Sequence, residues 1–487
     1  MKKNSVAKNY IYNLTYQILV LILPLITTPY ISRVLGAEGT GIYSYTISIT
    51  TYFILFGTLG ISMYAQREIA YVQDKVKERS KIFWEIIVVR FITLSLSMIL
   101  FYLTYARNGE YSMYYRILLL EILANCFDIS PFFQGMEEFK KIIVRNLIVK
   151  MVSIISVFLF IKTENDTNIY LLIYALSTFL GNISLWFYLP KYVHKVPFKE
   201  LQLLKHIRPT IVLFVPQVAT QIYTVLDKTM IGNMVADKAE VGYYEQSQKI
   251  VKMLLTIVTS LGTVMLPRIA NKFANGKKEE IKENIYQSFE FVYFLAIPLT
   301  CGVISVAPIF IPLFLGQAFE KSSILTSIIS PIILIIGLSN VIGTQYLLPT
   351  KKQKQFTISV VAGAFCNLIL NGMLIPRLLS IGAAIATLLA ESVVTLVQFY
   401  MIRNEFSIIK ILKKSKDYWL AGIGMLILNF LYQKLLLTNV KPVIQLFILV
   451  GLGGITYITI LIIILKNKYM IECLTKLKEK IKTRKVC

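Results

Sequence analysis

Four charged side chains interrupt two apolar runs between Arg208 and Arg268: Asp227 and Lys228 in the first, Lys249 and Lys252 in the second. Each run has the length of a membrane helix, and a short polar loop near Asp237 joins them, so the stretch reads as an antiparallel hairpin. Asp227 and Lys228 precede the turn by about 10 residues, and Lys249 and Lys252 follow it by about 12–15, which at the helical rise puts all four at similar depth. A charge at that depth needs water, a partner or a ligand, because lipid cannot stabilise it. Lysine supplies a compact positive charge of the kind that holds phosphate and diphosphate groups. Lys249 and Lys252, three positions apart, share a helix face. The competing arrangement has Asp227 neutralising one lysine while another extends along its stem to the interface.

Other candidates are more scattered. Arg33 follows the first apolar run, and Arg90 lies about a turn and a half inside the third; both join the lysines as expected contacts for an anionic ligand. Glu121, Asp128 and Glu391 fall inside apolar runs. With Asp227 they are carboxylates able to exchange a proton or sodium in a transport cycle, or to serve as fixed partners of buried cations. The two histidines, His194 and His206, share one linker, and the five cysteines form no CxxC pair, so neither a metal site nor a cofactor is expected. No glycine-rich nucleotide loop is present, which argues against ATP hydrolysis in this chain.

The elements that must position these residues follow from hydropathy. The chain is 56% hydrophobic, with a mean hydropathy of +0.64, well above a soluble composition. Marking apolar runs of roughly 18–25 residues predicts about 14 transmembrane helices, an all-α polytopic membrane protein. Proline interrupts the ninth and tenth runs at Pro298, Pro308, Pro312 and Pro331. The segment around Pro24–Met63 is echoed about 200 residues later by Pro216 onward, with Gly41-Ile42-Tyr43 against Gly242-Tyr243-Tyr244. An ordered internal repeat of this kind predicts two pseudo-symmetric six-helix lobes with a site at their interface. The expected divisions are an N-lobe at 1–190, a cytoplasmic linker helix at 191–208, a C-lobe at 209–402, a linker and final helix pair at 403–465, and a basic amphipathic tail at 466–487. Phe198, Leu201 and Leu204 supply the apolar spacing behind the linker helix, and Phe406, Ile409 and Leu412 repeat it at 403–416.

The net charge of +24 invites a nucleic-acid reading that its distribution removes. Most of the 51 lysines and arginines fall in the termini and alternate loops, which predicts both termini in the cytoplasm. The tail, with Met470, Leu474, Leu477 and Ile481 among lysines, suits an anionic leaflet. The first apolar run is long, holds Pro24 and Pro29 and lacks a cleavage site, so it reads as a membrane helix and not as a signal peptide.

Several stretches resemble one superfamily in order along the chain: Asn9 to Arg33 followed by VLGAEGTGIYSY, VGYYEQSQKI with VMLPRIA, LLPTKKQK, and IGAAIATLLAE. The chain resembles the polysaccharide transporter family of the multidrug/oligosaccharidyl-lipid/polysaccharide (MOP) flippase superfamily, and within it the Wzx-type flippases of O-antigen and capsule assembly. That resemblance implies a V-shaped pair of lobes working by alternating access in a bacterial cell membrane. The implied cargo is an undecaprenyl-diphosphate-linked oligosaccharide, with a polysaccharide polymerase and assembly proteins as further partners. It also places Lys249 where related lipid II flippases carry a cavity arginine after a Tyr-Tyr pair. The chain departs from the pattern at Gln66–Arg67, where the second helix shows no cavity cation. In the repeat, Ser48 and Thr51 align with Lys249 and Lys252, leaving the positive charge lopsided. The alternatives are a cation-coupled multidrug exporter of the same superfamily, for which lysines are the wrong charge, and a membrane glycosyltransferase or polymerase, which needs a long outer loop that the sequence lacks.

Overall fold

A computed structural model describes residues 6–435, 440–467 and 470–471. It is helical throughout, with no strand among the described residues. The helices are α1 (Val6–Thr58), α2 (Ile61–Tyr71), α3 (Val76–Phe101), α4 (Ser112–Cys126), α5 (Ser130–Gly135), α6 (Phe139–Phe160), α7 (Thr167–Trp186) and α8 (Ile207–Met234). They continue as α9 (Ala239–Ala274), α10 (Lys278–Leu315), α11 (Glu320–Ile329), α12 (Ile332–Ile342), α13 (Gln353–Ile402), α14 (Ile408–Lys414), α15 (Lys416–Leu435) and α16 (Pro442–Thr459). Since α1 and α13 each fold into two arms, α2 continues the second arm of α1, α4 with α5 and α11 with α12 each make one passage, and α14 has only seven residues, the described residues supply fourteen membrane helices. Its contacts divide it into two compact units, Met1–Gly242 and Tyr243–Cys487.

Two of the connections between consecutive apolar runs are single-residue breaks inside long helices. Residues 34–40 continue the helix of α1 on either side of Gly36, the single residue that leaves helical geometry (φ 68°, ψ −174°). Only glycine enters that region without strain, which is why one residue suffices. The corresponding break in α13 falls at Leu379 (φ 56°), three residues after Pro376, and there a bulky side chain bears the strained conformation.

Prolines also behave differently from expectation. Pro298, Pro308 and Pro312 lie inside α10 without ending it. Pro298 lacks the N–H that would bond the Phe294 carbonyl, and the Tyr457 hydroxyl of α16 donates there instead at 3.1 Å; near Pro308, Gln433 of α15 donates to the Ser305 carbonyl at 2.7 Å and Asn429 to Ser305 Oγ at 3.0 Å. Pro331 does break its passage, with a bend of 41° there.

The expected linker helix at 191–208 does not form. Short 3-10 turns at Leu189–Lys191, Phe198–Glu200 and Leu204–His206 replace it. Pro197 has no N–H to continue a helix, and Glu85 of α3 takes the N–H of Gln202 at 2.8 Å instead. At 403–416 a helix does form, α14, with Ile409 and Leu412 exposed. Phe406 precedes it and is buried against Tyr346 and Tyr286. The amphipathic tail at 466–487 lies almost wholly outside the described residues.

Inside the first unit α4 packs along α7, and Phe83, Phe132, Phe133 and Leu185 belong to one buried apolar core. In the second unit α10 is the central post, with α11, α12, α15 and α16 around it. Lipid tails are as apolar as leucine, so close packing and interhelical hydrogen bonds hold these bundles more than hydrophobic expulsion does.

Candidate functional site

The second unit carries a polar stripe on α9. Glu245, Lys249, Lys252, Thr256 and Ser260 recur at steps of four, three, four and four, the spacing of one helix face. Glu245 and Lys249 are half-buried; Lys252, Thr256 and Ser260 are exposed. The opposite side of the helix fixes this orientation. The Tyr244 hydroxyl lies 2.8 Å from Thr387 Oγ1 of α13, and Gln248 Nε2 donates to the same tyrosine at 2.6 Å. Ser247 Oγ donates to the Ser322 carbonyl and Ser322 Oγ to the Tyr243 carbonyl, each at 3.1 Å. These bonds seat α9 on α11 and α13 and turn Lys249 and Lys252 away from them.

Glu391 lies one turn beyond Thr387 on α13, as Lys249 lies just over one turn beyond Tyr244 on α9. The tyrosine–threonine bond therefore sets Lys249 and Glu391 at the same depth. Both make further contacts in the structure, so neither is a bare charge. Glu245, Thr256 and Ser260 were not among the sequence candidates. Their helical phase with the two lysines was the signal that identifies them.

The first unit distributes the remaining candidates. Arg90 and Asp128 come together: Arg90 donates from Nη2 to Asp128 Oδ2 at 3.4 Å, from Nε to the Asn125 carbonyl at 2.7 Å and from Nη1 to Ser62 Oγ at 3.4 Å. Arg90 is 2% exposed, and the cavity beside the pair is about 20 Å³. That space admits a water and not a diphosphate. Asp227 is buried in α8, Lys228 is half-buried beside it, and Arg33 is exposed three residues before the Gly36 break. Thr229 of α8 donates to Ser48 Oγ at 3.0 Å, so the repeat partner of Lys249 is spent holding α8 to α1. Tyr45 adds a second tie to Asn233 at 2.5 Å. Glu121 is buried on α4 against α7. Among the described residues no group of three or more His, Cys, Asp or Glu side chains is arranged to hold a metal ion.

Fourteen membrane helices in two units, with two lysines on one helix face, are the architecture of a polytopic membrane protein. The family model described as "Polysaccharide biosynthesis protein" matches residues 6–273, and a second model, MatE, matches residues 213–373. The chain belongs to the polysaccharide biosynthesis protein family, within the MOP flippase superfamily. A protein of Escherichia coli K12 named as an O-antigen transporter is 24% identical over 82% of this chain and 98% of its own length. The capsular polysaccharide biosynthesis protein CapF of Staphylococcus aureus is 23% identical over 82% of this chain and 100% of its own length. Among solved structures, lipid II flippase MurJ in an inward closed conformation superposes with a TM-score of 0.76 at 18% identity, over 94% of this chain and 99% of that one. At that identity the likeness is one of fold.

Proposed function

We propose that this chain is a flippase for a lipid-linked oligosaccharide in a bacterial cell membrane, moving an undecaprenyl-diphosphate-bound repeat unit from the inner to the outer leaflet for capsule or another surface polysaccharide. The observation that carries this reading is the α9 stripe, in which two lysines stand on the face turned away from α11 and α13. A diphosphate needs clustered positive charge in a region of low dielectric, and Lys249 is its leading contact, with Lys252 and Lys228 next. Relatives named for O-antigen transport, capsule synthesis and glycan flipping support the cargo class. The loop charges support an orientation with both termini in the cytoplasm. Alternating access between the units, driven by a proton or sodium gradient, completes the reading.

The MatE match over residues 213–373 keeps a second reading in play, a drug exporter. Lysines on the open face of α9 are a poor fit to cationic drugs. The test is complementation of a strain lacking its repeat-unit flippase, comparing the wild type with Lys249→Ala at equal membrane levels. Restored surface polymer by the wild type alone, with lipid-linked repeat units accumulating in the mutant, supports the reading. Normal polymer from Lys249→Ala removes the diphosphate site from α9, and failure of the wild type favours the exporter.

A further inference from the structure

The four carboxylates singled out in the sequence, Glu121, Asp128, Asp227 and Glu391, differ in their surroundings. Asp128 accepts from Arg90 and from the Ser130 N–H at 2.9 Å, while Asp227 and Glu391 each make further contacts. Glu121 differs. It is 7% exposed, and its Oε2 has no hydrogen-bond partner. Among the described residues no lysine, arginine or histidine pairs with it; Thr178 of α7 lies beside it and donates its own proton to the Tyr174 carbonyl at 3.1 Å. It lies nine residues after the start of α4, in a passage that α5 extends to Gly135, and beside the middle of α7.

The groups that neighbouring helices bring to α4 are known. On α7 they are Thr178 and Tyr174. From α3 comes Arg90, committed to Asn125 and Asp128. From α1 and the turn after α3 come Tyr45 and Tyr105, which face Tyr115. Each is a hydroxyl except Arg90, which is already spent. An ionised carboxylate buried inside a membrane passage with no cation beside it is the costly state; the protonated acid, which donates its own O–H, is the stable one. A metal ion would need several oxygen ligands around it, and Glu121 with Thr178 supplies too few.

We propose that Glu121 is a proton-binding site of the first unit, protonated at rest, whose deprotonation couples transport to the proton gradient. Arg90 and Asp128 are fixed scaffold by the same comparison. Coupling rests on the flippase reading, but proton occupancy does not.

The test uses the full-length protein in lipid nanodiscs and the carbodiimide DCCD, which adds covalently to protonated carboxyls in apolar surroundings. The adduct is mapped by mass spectrometry across pH, with no substrate present. In parallel, wild type and Glu121→Gln are reconstituted and flipping is measured with and without an imposed pH gradient; Gln keeps the shape of the protonated acid. The expected result is an adduct on Glu121 that falls off as pH rises. Glu121→Gln should lose at least tenfold of the gradient-driven rate while keeping wild-type thermal stability and gradient-independent flipping. An unlabelled Glu121 at every pH overturns the proton site. A labelled Glu121 with a normal gradient response in Glu121→Gln overturns the coupling and leaves a protonated core residue. Labelling proceeds without cargo, so a wrong cargo assignment cannot imitate either result.

Discussion

Arg90 and Asp128, 38 positions apart in sequence, meet at 3.4 Å in the interior of the first unit, tying α3 to the end of α4. The guanidinium is 3% exposed at its side chain and the carboxylate 22%. Removing one partner strands the other charge, which costs about 3–5 kcal/mol for buried pairs. Arg90→Met or Asp128→Asn should therefore lower thermal stability in detergent sharply. The double replacement Arg90→Met with Asp128→Leu should recover most of the loss. Additive losses in the double variant would show that the two charges act separately.

The linker offers a pH effect with a definite sign. His206 is held between the Tyr64 hydroxyl at 2.8 Å and Glu85 at 2.9 Å. Glu85 also accepts from Lys205 at 2.8 Å and from the Gln202 N–H, so the ring donates from Nε2 and accepts at Nδ1, the neutral tautomer. Burial holds the His206 pKa below its ordinary 6.5, with Glu85 opposing the shift. The native state thus binds fewer protons than the unfolded one, and the contribution is fully present above 6.5 and lost as pH falls through the lowered value. Protection factors for hydrogen exchange in 189–206, which already allow for slower intrinsic exchange in acid, should fall on acidification below 6.5. His206→Gln should flatten that pH response, and an unchanged profile in this variant would assign the effect to another group.

How much of this was legible beforehand differs by element. Hydropathy alone yields the helix count, because a membrane span must bury every backbone group within itself and so leaves a long apolar run. It does not yield the continuity of α1 through Gly36, since a one-residue break and a seven-residue loop look alike in hydropathy. The linker misled for a related reason: Phe198, Leu201 and Leu204 have helical spacing, but the tether from Glu85, more than a hundred positions away, decides their backbone. Lys249 and Lys252 were visible as charges in an apolar run. Glu245, Thr256 and Ser260 join them only once the bonds of Tyr244 and Ser247 fix which face of α9 is open. The different standing of Arg90 and Glu121 depends on long-range partners that no spacing reveals.

Close backbone approach makes a further prediction. A Cβ placed on Gly41 would overlap the Lys238 carbonyl, and one on Gly242 would overlap the Ala37 carbonyl. Backbone offers no flexible end to move aside, so the insertion forces a shift of whole helices, and overpacking of that kind costs about 1–3 kcal/mol. Gly41→Ala should lower the melting temperature of the purified protein, and Gly41→Val should lower it further. Gly372, with open space around its Cβ position, is the control, and Gly372→Ala should match the wild type.

The two lysines of α9 should not contribute equally, and their surroundings say which matters more. Lys252 is exposed and Lys249 half-buried at the depth of Glu391. A charge in the less solvated position is worth more to a bound anion, because the local dielectric is lower. A charge-assisted hydrogen bond to phosphate contributes about 1.5–3 kcal/mol, which is about 10- to 100-fold in affinity. Lys249→Ala should lower the affinity for a polyprenyl diphosphate by such a factor, Lys252→Ala by less, and Lys249→Arg should retain most of the binding because the charge is kept. A binding titration in nanodiscs against the lipid diphosphate, at two salt concentrations, separates these cases. The exposed Lys252 should lose its contribution at high salt while Lys249 keeps most of its own. Equal losses from both alanine variants, abolished together by salt, would mean that the stripe attracts anions from solution without building a site around one.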